Sequence, residues 1–163
     1  MAKEWVEGLA KEIREKHRAA AEEHGRAQHY AEIVSKQGKE FFLALAASLR
    51  QDVDALRSQL QGDVTGTETL VNSPRPDEVL ITRAGFPWVD ARLTHREDTI
   101  TLDYVKGRGA QGDAALDRQS RSFAFHVAGN DAVYVKDAFG EPARRYEGPE
   151  DLAREIVEFL FRV

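Results

Sequence analysis

Three sets of residues have types and spacings that could do chemistry. The first is Gly107-Arg108-Gly109-Ala110-Gln111-Gly112, a literal G-x-G-x-x-G after an apolar, strand-like run. In a dinucleotide-binding unit such glycines let the backbone approach a pyrophosphate at a helix N-terminus. Here only Asp113 to Arg118 separate the motif from the next strand-like run, too short for a crossover helix. A kinase-type glycine loop does sit in a hairpin, but the rest of that signature is missing. The motif reads as a flexible connection that could act as a flap over one end of a sheet.

The second set is Ser122, His126 and Asp103, with Asp90 near, which would offer a hydroxyl, a base and carboxylates. No nucleophile elbow or oxyanion loop accompanies them, so no catalytic residue is assigned. An acid–base pair of His126 with Asp90 or Asp103 is the enzymatic version to test. The third set is His17, His24 and His29. His17 and His24 share a helix face, but no carboxylate completes an HExxH or Glu-x-x-His pair, and they read as solvated positions. Neither a metal nor a cofactor is expected.

The elements that would position these groups follow from proline placement and periodicity. All five prolines lie at or after residue 74, leaving the first sixty residues free to be helical. Trp5, Leu9, Ile13, Ala20 and His24 share roughly one face, and Ala27, Ala31, Val34, Phe41, Leu45, Leu49, Val53, Leu56 and Leu60 resume it, at steps built from threes and fours, the stripe of an amphipathic helix. Gly25 and Gly38 are the weak points, each costing about 1 kcal/mol relative to Ala. Gly25, after Glu22-Glu23-His24, predicts a stop that divides helices near 3–24 and 27–61. Residues 41–60 are apolar enough to lie on a sheet. Residues 14–32 bring mainly Ala and His, too little for a core, and small residues at such spacing let a second copy approach closely.

Beyond Pro76 the period becomes two. Strands are expected near 78–84, 87–95, 98–106, 119–127 and 131–137, with room for a short one at 67–71. The short links at 84–86, 95–97 and 129–130 make this an antiparallel meander. Its core face would carry Val79, Ile81, Val89, Ala91, Leu93, Ile100, Leu102, Tyr104, Phe123, Phe125, Val127, Val133 and Val135. Pro149 opens a last helix with Glu150 and Asp151 in its first turn, and Leu152, Ile156, Phe159, Leu160 and Val163 form its stripe. The fold class is α+β: a helical segment at 1–62 (arm plus core helix), then a five-stranded sheet with its closing helix at 63–163, one folding unit. In shape this resembles helix-grip and TATA-binding-like sheets, and shape alone assigns no function.

If helices cover one face, the other is open. Its candidate binding residues are Trp88, Asp90, Arg92, Asp103, His126 and Tyr134, an aromatic and charged set suited to a protein partner or a small polar ligand. Ordinary cross-strand pairing of Asp90 and Asp103 with Arg92 and Lys136 explains most of the same residues, at about 0.2–1 kcal/mol per pair.

Composition narrows the classes. There is no cysteine, so thiolate catalysis, disulfides and Cys-ligated zinc are absent. Residues 1–62 are charge-neutral and the rest holds the net −5, which disfavours nucleic acid. The start MAKEWVEG lacks an apolar leader, and the run 41–49 is too short to span a bilayer and reads as buried helix. Sixteen of 23 basic residues are Arg. The expectation is a bacterial, cytoplasmic interaction module, homodimeric through its N-terminal helices or binding through its open sheet face. The alternative is a small-molecule-binding protein, or a hydrolase- or isomerase-like enzyme, using the Trp88/Asp103/His126 face or a site between sheet and helix.

Overall fold

The computed structural model describes residues 3–60, 69–85, 87–107, 118–139 and 143–162. The glycine-rich motif falls almost wholly outside these residues; Gly107 closes a strand. The elements are α1 (Glu4–Leu60), β1 (Thr69–Arg75), β2 (Glu78–Arg83), β3 (Trp88–Arg96), β4 (Thr99–Gly107), β5 (Gln119–Val127), β6 (Val133–Asp137), β7 (Arg145–Tyr146) and α2 (Pro149–Phe161). The fold is α+β, with a long N-terminal helix, an antiparallel sheet and a C-terminal helix.

Two expectations need correction. The first is the helix break. α1 is one helix of 57 residues that runs straight through Gly25. Gly25 keeps a helical backbone with open space around it, so nothing drives it to the left-handed conformation of a stop. No proline or turn residue follows it, and strong helix formers on both sides outweigh a cost of about 1 kcal/mol. The second is the strand count, which is seven rather than five, in the order β1 to β7 with every neighbour antiparallel. The optional strand near 67–71 runs on to Arg75. As an edge strand it tolerates Pro74, and the β1–β2 register shifts between Asn72 and Arg75 to pass it. β7 has two residues, too few for alternation to show.

The core lies between one sheet face and the two helices. Val79, Ile81, Val89, Ala91, Leu93, Ile100, Leu102, Tyr104, Phe123, Phe125 and Val135 are buried, with Val127 and Val133 at its margin. Phe41, Phe42, Leu45 and Leu49 of α1 meet them, so the apolar run 41–49 is a buried helix segment. No helix among the described residues is long and apolar enough to cross a membrane. α1 touches β1, β5 and β6, while α2 lies beside it and touches β3 and β7. Gly38 is buried against the sheet: a Cβ there would lie 3.4 Å from His95 Nε2 and 3.6 Å from Phe125 Cε2.

α2 starts as its sequence predicts, with Pro149 in the first turn and Glu150 and Asp151 beside the positive end. Its last turn has no basic residue of its own. Lys106 of β4 supplies the charge, donating to the carbonyls of Phe159 and Arg162. Arg121 ties the same helix to the sheet through Asp137 Oδ1 at 3.0 Å, Glu155 Oε1 at 3.1 Å and the Tyr146 hydroxyl at 3.2 Å.

Candidate functional site

The six residues expected on the open face do lie on strand positions facing away from the helices, but they do not converge. Trp88, Asp90, Arg92 and Asp103 sit on β3 and β4, with Arg92 directly opposite Asp103. His126 and Tyr134 face each other across β5 and β6. Asp103 pairs with Ser120, six positions before His126, which separates the two groups by about 20 Å at the usual strand rise. The Ser122–His126–Asp103 set is therefore spread along the sheet rather than assembled. Ion pairing also differs from expectation. Arg92 Nε binds Glu78 Oε1 at 3.0 Å, and Asp90 is met by Arg118 at 3.6 Å.

Trp88 is 4% exposed, so its indole is not presented to a partner. The neighbouring open-face residue Val105 is buried too. His126 stacks on Tyr134 with ring centroids 5.5 Å apart, and the Arg145 guanidinium lies 3.6 Å from the Tyr134 centroid. Burial, then the positive Lys136 and Arg145, hold the His126 ring below its ordinary pKa; Asp98 opposes them. The carboxylate that acts on His126 is thus Asp98, at the β3–β4 turn, rather than Asp90 or Asp103. Among the described residues no group of three or more His, Cys, Asp or Glu could hold a metal ion, and the three α1 histidines stand apart.

A different surface dominates the molecule. From Glu4 to Glu32 every α1 residue is exposed except Ala10, which is half-buried. At 1.5 Å per residue the part of this arm that precedes His29 extends about 37 Å. Trp5 is 70% exposed, Ile13 58% and Leu9 46%, with Val6 beside them. At about 100° per residue, Trp5, Leu9, Ile13, Ala20, Ala27 and Ala31 fall in the same arc of roughly 120° as the buried Val34, Gly38, Phe41, Leu45 and Leu49. The stripe runs the length of α1, interrupted in the arm by Lys16 and Glu23 at the same angles, and the sheet covers only its second half.

The arm leaves the body through a braced collar. Tyr30 donates to the Phe125 carbonyl at 2.8 Å. Gln37 holds the β5–β6 turn, donating to the Asp131 carbonyl at 2.8 Å and accepting from the Val133 amide at 3.3 Å. His29 lies 3.6 Å from the Asp131 carboxylate. Glu97 and Asp131 carry left-handed φ values of 51° and 62°, and both belong to turns at this end of the sheet. Next to the collar, a cavity of about 480 Å³ is lined by Tyr30, Ala31, Val34, Lys39, His95 and Asp98 among others. His95 packs against Phe42 and Phe125, with centroids 5.5 and 5.4 Å away, and burial pushes its pKa down. Burial and the nearby Asp98 charge raise that of Tyr30.

The exposed stripe was legible in the sequence as apolar spacing too thin for a core. The cavity was not, because Tyr30, His95 and Asp98 meet only through the tertiary fold. In comparisons with known proteins the chain matches no family model, no curated protein and no solved structure.

Proposed function

We propose that this protein is an interaction and oligomerisation module whose docking element is the exposed half of α1. One observation carries the reading: a helical arm holds Trp5, Leu9 and Ile13 out on one face, continued by Ala20, Ala27 and Ala31, and no described residue covers them. Isolated helices gain little from propensity alone and take most of their stability from packing an apolar face. Large side chains such as Trp5, Leu9 and Ile13 held out on such a helix suit a partner surface. The open sheet face becomes the lesser candidate, since Trp88 is buried and its other members are dispersed. Neutral residues 1–62 and an acidic remainder favour a partner other than nucleic acid. Arg-rich, cysteine-free composition supports a bacterial cytoplasmic setting.

A photo-crosslinking residue at Leu9, compared in cells with one at Arg18 on the opposite helix face, tests this. Covalent adducts at Leu9 and none at Arg18 are expected; no adduct at either position refutes a docking arm. The cavity supports a second reading, in which a small molecule binds between helix and sheet beside His95. A native mass spectrum carrying a stoichiometric small adduct, lost on His95→Ala, would favour it.

A further inference from the structure

We propose that the arm's occupant is a second copy of this chain, running antiparallel, with each copy's Trp5 seated at the cavity of the other. This rests on the docking reading above and names its partner. Charge placement sets the direction. One side of the stripe carries charge: by the angular spacing of a helix Lys16 and Glu23 lie within it, and Glu12 and Arg26 on the border just beyond them. In an antiparallel pair related by a two-fold axis, that side faces its own copy. With the axis at Ala19–Ala20, Lys16 faces Glu23 of the second copy and Glu12 faces Arg26, each pairing occurring twice. Glu12 and Lys16 already bond within one helix at 3.0 Å, so four charges line up across the pair. A parallel pair would set this side against Ala10, His17, His24 and Gln28, with no acidic or basic ladder to answer it.

The same register satisfies the apolar groups. Ala20 sits at the axis, where a small side chain allows helices to approach at about 8 Å. Ile13 then lies over Ala27 of the second copy and Leu9 over Tyr30 and Ala31. Trp5 falls level with Val34, which is buried in its own chain, and so beside Ala31 and Ser35 at the cavity of about 480 Å³ next to His95. The largest exposed apolar side chain of the arm and the cavity at its base are thus one arm's length apart, and one pairing brings both together twice. The collar at Tyr30 and Gln37 fixes the angle at which the arm arrives.

The lack of cysteine makes the test clean. Ala20→Cys in the full chain is expected to form a disulfide-linked dimer under mild oxidation, and Trp5→Cys is expected not to link to itself. Lys16→Glu should weaken the dimer about tenfold, and adding Glu23→Lys should restore it. Self-linking at Trp5→Cys would mean parallel arms and would overturn the proposal, as would failure of the second reversal to rescue the first. A chain that stays monomeric with neither cysteine linking overturns it too. In that last case a Leu9 photo-adduct of another mass would leave the docking reading standing, and no Leu9 adduct would remove both.

Discussion

Leu45 and Ile13 lie on one stripe of one helix, yet Leu45 is 0% exposed and Ile13 58%. Truncating each to alanine therefore separates the covered half of α1 from the free half. Leu45 sits in the cluster with Ile100, Leu102, Phe123 and Ile156, so Leu45→Ala removes packed atoms and leaves a cavity. Such changes cost about 3–4 kcal/mol, or roughly 10 °C in Tm for a chain of this size. Ile13→Ala removes nothing packed in the single chain and should stay within about 0.5 kcal/mol. Urea unfolding of dilute protein, followed by tryptophan fluorescence and far-ultraviolet circular dichroism, reads both. At higher concentration a penalty for Ile13→Ala should emerge, because an arm-mediated assembly adds stability by mass action. Equal losses in dilute solution would refute the reasoning, since Ile13 would then be packed on its own body.

Arg121→Met should cost about 2–3 kcal/mol, because it removes the ion pair of the partly buried Asp137 carboxylate and leaves Glu155 to Arg144 alone; urea unfolding would show the idea wrong if the loss stayed near zero. Acid should destabilise the body through His95. Its pKa is pushed below the ordinary imidazole value of 6.5, so the unfolded chain takes up the proton first. That contribution is intact above about pH 6.5 and is lost as pH falls from there until the folded ring also protonates. His126 acts in the same direction. His95→Gln should flatten this acid limb, and an unchanged limb would place its origin elsewhere. Gly25→Ala should slow amide exchange across the arm, since a Cβ there meets nothing within 4 Å; faster exchange would mean that Gly25 is a hinge.

How much of this was readable depended on whether a signal was local. Alternation from Val79 to Val135 marked the buried face residue by residue, because a strand with one covered face repeats every second position. Pro149 with Glu150 and Asp151 marked the start of α2 for an equally local reason. Gly25 misled, because a glycine stop needs a left-handed backbone and new partners for the freed carbonyls, and the sequence around it provides neither. Arg145-Tyr146 could not be seen as a strand, since two residues have no period. The open-face residues were read on the right parity. Their separation into two groups depended on the register that sets Asp103 against Ser120 and leaves His126 six positions further on. The collar and cavity were the least legible part. Tyr30, Gln37, His95 and Asp98 carry no motif, and only the passage of α1 across the sheet end joins them.

The most direct test is the native mass of the full chain beside that of a chain lacking residues 1–26. The full chain is expected to assemble at twice 18.3 kDa, and the truncated chain to be a folded monomer. The same stoichiometry for both, whether one copy or two, would contradict that expectation.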